Sequence, residues 1–320
     1  MVTPDYYDKF KCIGGKCKHN CCEGAWEIEV DDEALDRFAK IGGEFGARVM
    51  ESVDDNGVFI RKNGGCPLLS PDGWCEMVRN GHELCIICDE YPRFTEYYDE
   101  YVERGISISC EAAAEIILSN TEKVALCGKS GKCDDDLFNL LYSARNDIFD
   151  ILQNRDIDIF KRMSLALNYG ESLQEKINEN DFSDFSYTPQ DRAGSGGDTS
   201  VLFEFLSELT TLSDDWADKL KVAKMPEEID RIKTEQLCVY FVYRYFLKAF
   251  YDCDALSKLK LMAISVIAVL SLSDVCGSIF ESARLYSVEV EHNEDNIDAI
   301  YDEFLFNDGL STEKIISMIK

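Results

Sequence analysis

Basic residues are scarce in this chain of 320, where 33 Lys and Arg stand against 61 Asp and Glu for a formal net charge of −28. A surplus of that size repels phosphate backbones and anionic headgroups at long range, which argues against nucleic acid as a partner and against anionic membrane surfaces. Long apolar runs are missing too. Met1 to Phe10 holds no apolar core of signal-peptide length, and the longest uncharged stretch near the end, Leu261 to Ser273, falls short of the ~20 residues of a spanning helix. The expectation is a cytoplasmic protein with no transmembrane segment. Only three histidines occur, His19, His82 and His292, and no Ser-His-Asp or Cys-His nucleophile arrangement can be built from them. No internal repeat is visible. No glycine-rich turn joins a strand to a helix either, since Gly194-Ser-Gly-Gly197 follows no strand-like run and reads as a linker.

Cysteine, by contrast, is abundant. Of fourteen, ten fall in the first 127 residues, Cys133 follows, and Cys238, Cys253 and Cys276 sit in apolar helical stretches as buried small hydrophobes. A reducing compartment disfavours a disulfide framework and turns attention to metal. Cys12-x4-Cys17-x3-Cys21-Cys22 puts four thiols within eleven residues, Cys66 and Cys75 frame a turn, Cys85-x2-Cys88 makes a third group, and Cys110 ends an extended run. Thiolates this dense repel one another unless a cation neutralises them, and soft sulfur donors select zinc or iron–sulfur clusters. In extended chain Cys21 and Cys22 point in opposite directions and so serve two separate centres. Spacing does not separate zinc from iron–sulfur. The Cys-x3-Cys-x2-Cys pattern of radical enzymes is absent, because Gly24 stands where its third cysteine would be. A redox role for Cys85 and Cys88 lacks the surrounding strand-helix-strand pattern.

The texture of the chain changes near residue 133. Before it, glycine and proline break the sequence into short alternating runs, with Trp26 to Val30, Val58 to Arg61 and Ile106 to Ser109 expected as brief strands. Asn63-Gly-Gly and Pro71-Asp-Gly read as turns, and Asp31 or Asp32 as the cap of a helix running towards Lys40. After it, apolar residues recur at three and four, through Leu137, Leu141, Ala144, Ile148 and Leu152, then through Phe160, Met163, Leu167, Gly170, Leu173 and Ile177. Leu237 to Tyr251 and Leu259 to Leu272 are apolar enough to form the centre of a helical domain, with 295–306 and 311–320 as surface helices. The expected fold is mainly α with a small irregular α+β region. A metal-stapled cysteine-rich domain, 1–133, packs on a helical domain, 134–320, which a flexible connection interrupts near 181–200.

The series Cys12, Cys17, Cys21, Cys22, then Cys66-Pro-Leu, Cys75, Cys88-x2-Tyr91-Pro92-Arg93 and Ser109-Cys110 resembles the flagellin lysine-N-methylase family, within a wider group of cysteine-rich proteins described as zinc or iron chelators. Arg162 to Leu167 with Leu173-Gln174, Tyr240 to Phe246, and Tyr286-Ser287-x-Glu289-Val-Glu291-His292-Asn293-Glu294-x-Asn296 resemble later stretches of the methylase family. Cys85, Cys127 and Cys133 are extra to the pattern. The resemblance implies methyl transfer from S-adenosylmethionine to side-chain amines of flagellin lysines. The eight cysteines Cys12, Cys17, Cys21, Cys22, Cys66, Cys75, Cys88 and Cys110 are the expected metal ligands, for an iron–sulfur cluster of the 4Fe-4S type or alternatively zinc. His292, in a family stretch and able to carry a proton near neutral pH, is the candidate acceptor, with Glu289, Glu291 and Tyr91 as further catalytic candidates. Arg93 is the candidate for the donor's carboxylate or the charge of a thiolate centre. A non-catalytic iron–sulfur or zinc protein for metal delivery, sensing or electron transfer explains the cysteines equally well, but explains less well the separate motifs of the helical region.

Overall fold

The computed structural model describes residues 1–24, 26–62, 64–187, 190, 192 and 194–319. Asn63, expected in a turn, and Pro189 and Ala193, expected in the connection, lie outside the described residues.

Four strands form one small mixed sheet. They are β1 (Val2–Pro4), β2 (Arg93–Tyr98), β3 (Tyr101–Ile106) and β4 (Leu126–Gly128), in the order β2-β3-β1-β4. β2 and β3 are an antiparallel hairpin with Arg93 opposite Ile106, closed at Asp99 in a left-handed conformation. β1 runs parallel to β3 and antiparallel to β4. This hairpin replaces the strand expected at Ile106 to Ser109, which turns out to be the exit from β3. Trp26 to Val30 and Val58 to Arg61 yield only isolated bridges, Glu29 with Val58 and Val53 with Phe59. Turns every few residues leave neither run a partner long enough to extend a ladder.

Between β1 and β2 the chain builds only short helices, α1 (Asp32–Phe38), α2 (Gly43–Glu51), α3 (Glu76–Arg79) and α4 (Ile86–Glu90). Asp31 caps α1 by accepting from Ala34 N at 2.8 Å, and its other oxygen accepts from Ile86 N at 2.7 Å, so one carboxylate fixes the starts of α1 and α4 together. The buried apolar residues here are few: Ile28, Val30, Ala34, Phe38, Val49, Phe59, Leu68, Met77 and Cys85. Partly buried Trp26, Leu35, Ile41, Phe45, Val53 and Leu84 pack around these nine, a small core for some eighty residues of chain.

The larger core runs through residues on both sides of position 133. It takes in Val2, Tyr6, Phe10, Tyr98, Ile106 and Ile108 along with α5 (Glu111–Leu118), α6 (Asp136–Leu152) and α7 (Ile159–Asn178). α8 (Thr199–Glu208), α9 (Trp216–Val222), α10 (Arg231–Tyr245) and α11 (Ala249–Asp252) follow, and α12 (Ala255–Cys276) crosses the middle. α12 is buried almost throughout, and 78% of its most apolar window lies inside the protein. It is long and apolar enough to cross a membrane by length and composition alone, but here it is a core helix. Gly277, at φ 82°, ends it in the left-handed conformation a side chain would resist. The chain then doubles back through α13 (Ile279–Tyr286), a π-helical turn at Ser287–Glu291, α14 (Glu294–Phe306) and α15 (Thr312–Met318).

The periodic helices match their expected spans closely, because both apolar spacing and caps agree. Asp135 accepts from Phe138 N at the start of α6, and Asp158 from Phe160 N at the start of α7. Asp135→Ala is expected to cost about 1 kcal/mol of stability, as for other cap losses, measured by chemical denaturation. An unchanged midpoint would mean that packing alone sets this helix end. Two expectations change. Residues in the 181–200 connection are anchored, since Phe185 and Tyr187 pack edge-on against Tyr169 and Gly197 N donates to Ser317 Oγ of α15. Cys253 is exposed at φ 58° beyond α11 rather than buried, because the chain must turn there before α12.

Candidate functional site

Nine cysteines, from Cys12 to Cys110, line one region although they are spread over about a hundred residues of chain, whereas Cys127 and Cys133 lie apart from them. Asn20 accepts from Cys22 N at 3.0 Å and donates from Nδ2 to Gly73 O at 2.7 Å, which sets the Cys21-Cys22 turn against the Cys66–Cys75 loop. Cys66 N donates to Cys22 O at 2.7 Å. On the other side, Glu111 accepts from Lys18 N and His19 N and draws the Cys17–Cys21 loop onto the start of α5, beside Cys110. All fourteen thiols are free.

Their mutual electrostatics links them into two overlapping sets. Cys12, Cys21 and Cys110 raise Cys17, and Cys12 and Cys21 raise Cys110, whereas Cys22 and Cys88 are raised first by the hydrogen bonds that Cys21 and Cys85 share with them and then by burial and by neighbouring thiols that include Cys66. Adjacent Cys21 and Cys22 join the two sets, since they share a hydrogen bond, both line both cavities, and Cys21 also raises Cys75. Burial is the largest cause for Cys17, pushed up to about 12, and for Cys66 and Cys110, each pushed up to about 11. Cys75, Cys85 and Cys110 stand at the N-caps of α3, α4 and α5. Amides of Met77 and Val78 aim at Cys75, and those of Ala112 and Ala113 at Cys110, opposing burial. Cys85, hydrogen-bonded to Cys88, is held down to about 7. Soft donors with amides aimed at sulfur suit a thiolate-bound metal by their chemistry. By spacing, no three Cys, His, Asp or Glu side chains among the described residues surround one point closely enough for a single ion. The thiols instead line the walls of two adjoining cavities, of about 410 and 350 Å³, that share Cys12, Cys21, Cys22, Cys75, Cys88 and Tyr91.

His292 enters the larger cavity from the opposite side of the molecule's sequence. Its ring lies 5.2 Å from that of Trp26 and 6.0 Å from that of Tyr91, and Trp26 and Tyr91 are 5.8 Å apart, centroid to centroid. Tyr91 hydrogen-bonds Ser109 Oγ at 3.1 Å, and Ser109 bonds Ser107 at 2.9 Å, in line with Ser287 of the π turn at 3.4 Å. Although open to solvent at the cavity mouth, the His292 ring is flanked by these aromatics, and this enclosure, followed by the charge of Arg244, lowers its pKa to about 4. Burial raises Tyr91 well above the usual phenol range, so it is a neutral donor.

The neighbouring acids have partners of their own. Glu291 is buried and receives Tyr245 OH at 2.9 Å and Tyr240 OH at 3.2 Å, with Arg244 Nε at 3.5 Å. Glu289 faces away, accepting from Leu212 N at 2.6 Å, Ser213 N at 3.1 Å and the Ser213 hydroxyl. Neither carboxylate lines the cavity. Arg93 borders the smaller cavity, with its guanidinium over Phe10 at 5.1 Å and one N–H on Asp89 O. Of the other histidines, His19 pairs with Glu281 at 2.9 Å and His82 stacks on Phe45.

The chain is similar to the lysine-N-methylases of Salmonella typhimurium and Salmonella choleraesuis. Each is 23% identical over 145 residues, covering 41% of this chain and 35% of the relative. The match thus spans about a third of the length of these curated relatives. No protein-family model matches, and no solved structure does.

Sequence reasoning missed Trp26, which it took for a strand residue, and it set Cys85 aside as extra although Cys85 is buried in the second set of thiols. For Trp26 the only signal was its place four residues after Cys22.

Proposed function

We propose that this protein is a methyltransferase that moves a methyl group from S-adenosylmethionine to lysine side-chain amines of flagellin, in the cytoplasm. The similarity to curated lysine-N-methylases carries the reading. The 410 Å³ cavity supports it, because beside the cysteines it offers a ligand-sized space walled by Ile28, Phe38, Leu68 and Met77. In the reaction, the lysine nitrogen forms a bond to the methyl carbon as the carbon–sulfur bond breaks, the sulfur keeps that electron pair as a neutral thioether, and the ammonium product loses a proton.

The amine must enter that step unprotonated, although free lysine titrates near 10.4. Apolar walls of Ile28, Phe38, Leu68 and Met77 favour the neutral amine by desolvation. His292, unprotonated at neutral pH and open to solvent, accepts the proton and passes it outward. Tyr91 keeps its own proton and orients the reactants by donating a hydrogen bond. Glu291 is a positioning residue that fixes the turn carrying His292, and Glu289 ties that turn to residues 212–213. Arg93 would take the donor's carboxylate at the smaller cavity.

The eight cysteines Cys12, Cys17, Cys21, Cys22, Cys66, Cys75, Cys88 and Cys110 would hold iron–sulfur of the 4Fe-4S type, or zinc, and Cys85 stands ready beside Cys88. When bound, such a group neutralises the thiolates and cross-links the segment whose own core is small. Anaerobically isolated protein is expected to contain iron and acid-labile sulfide, and colourless protein with stoichiometric zinc would sink the iron–sulfur assignment. Chelation is expected to expose amides of residues 11–92 to hydrogen exchange while most helical circular dichroism remains. Loss of the whole helical signal would show that the large core depends on metal too. Incubation with labelled S-adenosylmethionine and flagellin tests the activity itself. Label on lysine supports it, whereas neither donor binding nor transfer overturns it.

A further inference from the structure

We propose that Trp26, Tyr91 and His292 form a π wall that binds the positive centre of an organic onium ion, as carried by a sulfonium or by an alkylammonium. The choice of these two ligands rests on the methyltransferase reading, whereas the preference for a cation does not. Three observations carry it. The rings sit within 5.2 to 6.0 Å of one another, tilted by 29 to 39°, and all three line the same cavity. No Lys or Arg lines that cavity among the described residues, and Glu27 does, so its charge admits a cation and opposes an anion. The rest of the lining is apolar side chains, Glu27 and cysteine thiols, a setting without a cationic side chain in which a partly desolvated cation gains from a ring face.

The rings are fixed before any ligand arrives. Tyr91 is held through Ser109 and Ser107, and His292 follows the buried Glu291 anchor. The backbone of Trp26 is held by Arg61, whose Nη1 donates to Trp26 O at 2.9 Å. Its indole lies directly over Gly24, where a Cβ would come within 2.6 Å of Cζ2. Gly24 therefore makes room for the indole, and any side chain there must displace it. A face set in place in this way loses little entropy on binding.

The test is calorimetric titration of the full chain, isolated anaerobically without chelators, in two arms. One arm compares S-adenosylmethionine with the neutral thioether S-adenosylhomocysteine. The other compares Nε-trimethyllysine with its neutral carbon isostere. In at least one arm the cation is expected to bind about tenfold more tightly than its neutral counterpart, and that arm identifies the source of the charge. Trp26→Phe should keep most of this preference and Trp26→Leu should abolish it. Gly24→Ala, which leaves Trp26 in place but moves its ring, should weaken it and stands in if Trp26→Leu does not fold. Equal binding of cation and neutral analogue in both arms, no binding in either, or an unchanged preference in folded Trp26→Leu overturns the proposal. Methyl transfer by the same preparation is read separately. A charge preference without transfer sinks the methyltransferase reading alone, and transfer without a preference sinks the π wall alone.

Discussion

Replacing His292 by Ala is expected to lower methyl transfer to a lysine substrate about a hundredfold, the lower end of what a positioned proton acceptor contributes. The fold should survive, because the His292 side chain is exposed and the turn beneath it is anchored through Glu291. The loss should appear in kcat more than in KM if the ring moves a proton, and in KM if it only lines the wall. His292→Gln, which keeps an acceptor atom, should recover part of it. The pH dependence has a definite sign. With its pKa held down at about 4, the imidazole is a free acceptor above that value and is lost as pH falls through it. The rate should therefore show no break near 6.5, where an ordinary histidine titrates. Full activity in His292→Ala would remove the residue from the chemistry.

Arg145→Met is expected to destabilise the protein by about 3 to 5 kcal/mol, measured by urea denaturation. Arg145 and Glu103 are 0% and 2% exposed, and they share two N–H···O bonds of 2.7 Å each. Tyr101 OH adds a third bond to the same carboxylate at 2.6 Å. Deleting the arginine leaves a buried carboxylate on β3 facing the apolar side of α6, where it must either stay charged without its partner or take up a proton. The double variant Arg145→Met with Glu103→Leu should recover most of the loss, because an apolar pair fills the same space without the desolvation of two charges. A single-variant cost below about 1 kcal/mol would mean that water reaches the pair.

The helical part was legible because two independent signals coincide there. In α6 and α7 the apolar spacing and the capping aspartates define the same segment, and tertiary packing has nothing to override. The β2–β3 hairpin was not legible. Its strands are half-buried and carry Arg93, Glu96 and Glu103, so the apolar alternation is broken by charges whose partners lie far along the chain, such as Lys248 for Glu96 and Arg145 for Glu103. The site was half-legible. Spacing grouped the cysteines, but the extended chain assumed for Cys21 and Cys22 is a tight helical turn in which the two thiols share a hydrogen bond. No spacing could say that Tyr91 and His292, two hundred residues apart, flank one tryptophan. Glu289 and Glu291 looked alike in the sequence, two acids of one motif. A π turn sends one to Leu212 and Ser213 and the other to Tyr240 and Tyr245.

That turn carries a consequence for how variants with insertions and deletions should be read. His292 N bonds Ser287 O, five residues back, where an α-helix would use four, so the segment holds one residue more than the helical path requires. Each residue of an α-helix advances the direction of the next side chain by about 100°. A turn of this kind brings its fifth residue round to about where an α-helix brings its fourth, so deleting Val288 would let it relax to an ordinary helix with His292 still near the cavity, whereas deleting one residue from α13, which has none to spare, would swing the imidazole by about 100°. Whether two related sequences share this site is therefore decided by where a change of length falls as much as by the letters around it.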